Sequence, residues 1–283
     1  MPKITTQHLE IYFEKTPSKS NGPLLFIGGT DGDLRNKPNQ LNSPLANHFE
    51  VISYDQRGLG QTSCPPGDFT MADYADDAKD LLDLLNIDHI PVVGVSFGGM
   101  VAQELAIRYP KKISKLVLCC TSSGGEGGSS YPLHELQHMD PADRVRLGLK
   151  LRDTRITNDW IKENNPFETN SQEQGVEGAK FHADRSRLMK QLSARKNHDT
   201  FSRLALINHP VLLAGGKYDG ITTEKLPRDL PKSLPVAWNA EVGTGFCTVS
   251  VQEGRVLTMG NANGKDTIWC LNSADGRVLW KHT

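Results

Sequence analysis

Residues 1 to about 222 predict an α/β fold, a doubly wound, mostly parallel sheet with a helical cap; the remainder predicts a small antiparallel β unit. Three observations carry this. Apolar strand-like runs alternate with helical stretches through the first 120 residues. The pattern resumes at "HPVLLAGGKYDG", and after Ile221 it gives way to short β-rich runs parted by Asn-Gly and Asp-Gly. Strand–helix alternation implies right-handed crossovers and a sheet covered on both faces. Asn-Gly and Asp-Gly favour the positive φ of tight hairpins, so the last segment reads as a meander.

The elements follow in order. "PLLFIGG" (23–29) and "FEVISYD" (49–55) are buried strands that end in glycine or polar turns. "TMADYADDAKDLLDLLNI" is a helix: Thr70 can cap it, and Ala75, Ala78, Leu81, Leu82 and Leu85 recur at helical spacing. "IPVVGV" is a strand, "GGMVAQELAIRYP" a helix stopped by Pro110, and "ISKLVLCCTS" a further strand. "SSGGEGGSS" reads as a flexible hinge into a polar, helix-rich stretch spanning about 124–200. There Ser171 with Gln174 forms a capping box, and the mixed charges of "EGAKFHADRSRLMKQLSARK" read as a solvated face.

Composition excludes several function classes. The chain has 283 residues, and 32 Lys plus Arg oppose 33 Asp plus Glu, a net charge of -1. That balance carries no electrostatic footprint for nucleic acid or an anionic membrane. Apolar runs such as 113–120 are too short to span a bilayer, and the first residues lack a signal-peptide core. The five cysteines form no CxxC pair, and the adjacent Cys119 and Cys120 suit buried thiols in a strand. A reducing cytoplasm is the expected compartment.

Chemistry concentrates at Gly94-Val95-Ser96-Phe97-Gly98, which fits G-x-S-x-G between a strand and a helix. That context turns the chain sharply with the serine at the apex. "YDQRGLGQTS" (54–63) and "LLFIGGTDGDLR" follow the two earlier strands, and "LLAGGKYDGIT" sets Asp219 downstream of the serine. With these motifs the chain resembles the α/β-hydrolase fold family over roughly residues 8–222, most like its small esterases, enol-lactonases and related cofactor-free serine enzymes. The resemblance implies that Ser96 is the nucleophile, that the amides of Phe97 and Thr30 form the oxyanion hole, and that Asp219 orients a histidine. It also implies a small ester or lactone as substrate, no cofactor, and a cap that sets substrate choice.

The same resemblance calls for a histidine on a loop after the last strand. Of nine histidines only His282, the penultimate residue, follows Asp219. It is the candidate third member of the triad, though its setting is that of a surface histidine in a final strand. The last strand and helix of the hydrolase sheet are missing by this reading, which predicts an uncovered apolar edge and self-association. Residues 223–283 resemble one blade of a quinoprotein-type β-propeller, and the junction near 222–226 reads as a fusion or truncation. One blade implies no quinone site. A non-catalytic binding protein is the alternative. A third reading rests on "HELQH", where His134 and His138 would bind zinc with Glu135 as base and Glu163 or Glu168 as a further ligand. Pro132 and Pro141 confine any helix there to about two turns, so no metal is expected.

Overall fold

The computed structural model describes residues 3–128, 130–164, 184–216, 219–222, 240, 242, 250–252, 255–262, 265–272 and 274–283. A seven-stranded sheet organises the first part: β1 (Lys3–Thr5), β2 (Glu10–Lys15), β3 (Pro23–Ile27), β4 (Glu50–Tyr54), β5 (Ile90–Val95), β6 (Ile113–Cys119) and β7 (Val211–Ala214). Its order is β1-β2-β4-β3-β5-β6-β7. The pairs from β4 across to β7 are parallel, and β1 and β2 add an antiparallel edge. The expected strands are in place. The hairpin-like β1–β2 edge escaped the sequence reading because "KIT" and "EIYFEK" mix charge into short runs.

Helices α1 (Met71–Leu84) and α2 (Phe97–Arg108) pack on one face of the sheet. Thr70 caps α1 as expected, and Asp73 answers it from the third helical position in a capping box. Residues alternate faces along each strand. Leu25, Ile27 and Val92 therefore join Tyr74, Ala78, Leu81, Met100, Val101 and Leu105 in the main core. Leu24, Phe26, Val51 and Val93 point the other way, into a smaller cluster closed by Leu45. Between β6 and β7 come α3 (Pro141–Arg152), α4 (Asn158–Asn164) and α5 (Arg185–Lys196), the helical stretch expected there. Ser171 and Gln174, read as a capping box, and Glu168 lie outside the described residues. Among the described residues no helix is long and apolar enough to cross a membrane.

Two local expectations need correction. Cys119 is buried in β6, but Cys120 leaves the strand at φ 47° and is only half-buried. The glycine-rich "SSGGEGGSS" is not a loose hinge: Gly124 bridges to Asp199, and a Cβ on Gly124 would overlap the His198 carbonyl oxygen. The glycines there serve close backbone contact.

The C-terminal strands β8 (Ser250–Gln252), β9 (Arg255–Ala262), β10 (Lys265–Asn272) and β11 (Val278–His282) form the expected antiparallel meander in sequential order. The resemblance to a propeller repeat does not hold. Propeller blades bury both faces against neighbouring blades, whereas every residue of β11 is exposed. This is a small β unit appended to the α/β core.

Candidate active site

The strand order places the site. β3 lies between β4 and β5, so the chain leaves β3 toward one side and returns on the other. In such a sheet a crevice opens beyond the carboxyl ends of the strands at this reversal. The loop 28–31 after β3 and the turn after β5 meet there. A methyl group on Gly29 would lie 3.6 Å from Ser96 Cβ.

Ser96 sits between β5 and α2 at φ 53°, ψ −117°. A non-glycine residue in such a conformation carries about 1–3 kcal/mol of strain and persists only where its surroundings enforce it. They do so here. The Ser96 N–H donates to the Cys119 carbonyl at 2.8 Å, and the Ser96 carbonyl accepts from the Gly99 N–H at 2.9 Å and from Thr121 Oγ1 at 2.8 Å. The flanking glycines are required by close approach: a Cβ on Gly98 would overlap the carbonyl oxygens of Ile27 and Gly28, and one on Gly94 that of Gly98. The turn is thus pressed against the end of β3. Thr121 was missed in the sequence because its partner is 25 residues away.

Phe97 opens α2, where the first N–H groups have no partner within the helix and the dipole favours negative charge. Its fully buried ring packs edge-on against Tyr74 with centroids 4.9 Å apart, which fixes the backbone it carries. Thr30 follows Gly28-Gly29 in a turn, and its buried hydroxyl has no hydrogen-bond partner. The "YDQRGLG" segment braces this loop. Asp55, 1% exposed, accepts from the Leu34 N–H at 2.7 Å and the Gln61 N–H at 2.8 Å. Burial pushes its carboxyl up to about 6, against the pull of those two N–H donors. Arg57 makes a bidentate pair with the buried Asp77 of α1, both contacts at 2.7 Å, and lies over the Phe69 and Tyr74 rings.

Asp219 lies in a turn after β7 with its carboxylate already engaged. One oxygen accepts from the Ile221 N–H at 2.8 Å and the Thr222 N–H at 3.3 Å, the other from the Thr222 hydroxyl at 2.5 Å. The turn docks on the helical insertion: Gly220 N–H donates to the Leu151 carbonyl at 2.8 Å, and Tyr131 N–H to the Ile221 carbonyl at 2.7 Å. Arg195 of α5 donates in turn to the Tyr131 carbonyl at 2.6 Å, its guanidinium pushed down to about 10 by burial. Among the described residues no hydrogen bond joins Asp219 to a histidine. His282 is exposed on β11, paired in register with Ile268. The structure brings Ser96, Phe97 and the Thr30 loop together and leaves His282 on the appended sheet.

The "HELQH" segment does not build the α-helix that the zinc reading would need. Glu135–His138 is a single 3-10 turn with His134 as its cap. In that geometry side chains three apart eclipse, so residues 134 and 138 do not stack as zinc ligands of one helix face. Glu163 lies in α4, and among the described residues no three metal-binding side chains cluster.

Comparison with known proteins agrees with the fold. The family model described as "alpha/beta hydrolase fold" matches residues 22–249, running past the 222–226 junction. A protein of Mycobacterium tuberculosis, named only as uncharacterized, is 36% identical over 105 residues, 37% of this chain and 30% of its own length. The chain thus spans under a third of that relative. A "putative carbamate hydrolase RutD" of Yersinia enterocolitica is 28% identical over 245 residues, covering 85% of this chain and 87% of that one. The structure of a thermophilic esterase from Thermogutta terrifontis superposes with a TM-score of 0.59 at 25% identity, over 83% of this chain and 86% of the esterase. These matches are hydrolases where they are named, which overturns the propeller assignment from the side of sequence as well. The chain belongs to the α/β-hydrolase fold family.

Proposed function

We propose that the protein is a serine hydrolase of small esters or lactones, with Ser96 as nucleophile. The observation that supports this most is the strained Ser96 turn pressed against the loop that carries Gly29 and Thr30. In the reaction Ser96 Oγ attacks the acyl carbon, and the carbonyl oxygen gains the negative charge. The amides of Phe97 and Thr30 stabilise that oxyanion. Collapse expels the alcohol and leaves an acyl-serine, which water then hydrolyses. Asp219 is the acid of the triad. A carbamate presents the same acyl carbon to the same machinery.

The step that lacks a residue is proton transfer from Ser96. A serine hydroxyl needs a base to attack at neutral pH, and His282 is the one histidine after Asp219. Without a base, catalysis of about 10³ to 10⁴-fold over water remains from the oxyanion donors and binding. The Asp219 carboxylate, satisfied by its own turn, favours a second reading, a hydrolase relative that binds its ligand without turnover. Labelling by a fluorophosphonate and hydrolysis of p-nitrophenyl acetate, compared for the unaltered chain, Ser96→Ala and His282→Ala, separate them. The hydrolase reading expects labelling and weak turnover, both lost in Ser96→Ala. Loss in His282→Ala as well identifies the base, and an unlabelled Ser96 in the unaltered chain sinks the proposal.

A further inference from the structure

Two buried glutamines join the ends of the loop beside Ser96 through the helical insertion. Gln56 Nε2 donates to the Gly28 carbonyl at 2.7 Å, and the Asp31 N–H donates to Gln191 Oε1 at 3.0 Å. Between them Gln191 Nε2 reaches Gln56 Oε1 at 3.5 Å. Gln191 is fully buried and Gln56 is 2% exposed. The ends of the chain fix both amide orientations: an N–H at Asp31 needs an oxygen, and a carbonyl at Gly28 needs an NH₂. The relay therefore encloses residues 28–31, the stretch that sets Gly29 against Ser96 and carries the Thr30 amide. Half of it comes from α5, 160 residues from Asp31 in sequence.

We propose that Gln191 is a positioning residue through which the docked α5 helix holds the Thr30 amide in place for the oxyanion. It rests on the reading of Ser96 as nucleophile. Gln191 touches no reacting atom; it acts on the loop, so acyl chemistry at Ser96 depends on α5 being seated. The relay also has a direction. Gln191→Leu, of similar size, removes both hydrogen bonds. Gln191→Glu keeps an acceptor for Asp31 but sets a carboxylate oxygen against Gln56 Oε1. Once protonated, the same side chain supplies an O–H to Gln56 and an acceptor to Asp31, as glutamine does.

The test follows Ser96 labelling by a fluorophosphonate in the full chain, together with hydrogen exchange of the Asp31 amide. In Gln191→Leu the labelling rate is expected to fall about 10 to 100-fold, less than the outright loss of one oxyanion donor costs, and Asp31 exchange to rise at least about tenfold as its partner is lost. In Gln191→Glu the rate relative to the unaltered protein should recover as pH falls, while Gln191→Leu stays low throughout. A general packing defect would not give that recovery. Labelling and exchange both equal to those of the unaltered chain overturn the inference, as does a Gln191→Glu deficit that does not change with pH. If the unaltered chain fails to label at Ser96, the nucleophile reading is what fails, and exchange alone then decides whether the relay holds the loop.

Discussion

His198 is a residue whose burial makes a measurable demand. It is 5% exposed, one ring nitrogen lies 3.2 Å from the Ser122 carbonyl, and Nδ1 has no partner. Burial pushes its imidazole down to about 4. The unfolded chain takes up a proton as pH falls through the ordinary value near 6.5, and the folded chain does not until about 4. Stability present above that window is therefore lost on acidification across it, by about 3 kcal/mol at 1.36 kcal/mol per unit. Thermal melts at pH 7 and pH 4.5 should show a smaller acid loss in His198→Gln than in the unaltered protein, a comparison in which other groups cancel. Equal losses would refute the assignment. The Ser96 turn was legible because its constraints are local, two glycines and a strand–helix boundary within five positions. Gln191 and Thr121 were not, because their partners arrive through the fold from distant sequence.

At the scale of elements, the loop 54–63 is tied to α1 by the Arg57–Asp77 pair, with the guanidinium also donating to the Asp73 carbonyl at 3.0 Å. Removing one member of a buried pair leaves an uncompensated charge, at a cost of about 3–5 kcal/mol. Arg57→Leu should lower the free energy of unfolding by that much. Arg57→Leu with Asp77→Leu should recover most of it, a non-additivity that a double-mutant cycle in urea measures. Additive losses would mean that the pair is not coupled. The strands and α1 were readable because apolar period and caps act over one element. The glycine-rich segment after β6 was misread as loose because composition alone cannot distinguish a glycine that moves from one that lets two backbones touch, as Gly124 does with His198. The "HELQH" turn likewise takes its form from the prolines around it, and its motif letters carry no helix.

Across the whole molecule, the appended sheet exposes an apolar edge. β11 ends the sheet, and Val278, Leu279 and Trp280 are 45%, 40% and 47% exposed along it. An exposed apolar edge strand invites pairing with another chain. Sedimentation velocity should show association rising with concentration, reduced in Leu279→Lys; a monodisperse monomer at all concentrations would refute this. The meander itself was legible from its turn dipeptides. Its likeness to a propeller blade misled because hairpins of alternating residues recur in many β architectures, and the features that separate them lie in what packs outside the sheet. The strand order has a further consequence, in the timing of synthesis. Six of the seven strands of the main sheet are complete once residue 119 has emerged, and they include every neighbour of β3 and β5. The strands that flank the Ser96 turn therefore emerge ahead of β7, so β3, β4, β5 and β6 can begin to pair before the sheet's last strand is made. β7 then adds at the free side of β6 without parting strands already joined. The insertion between them never has to thread the sheet, so its length can change without altering how β3 to β6 pair around the Ser96 turn.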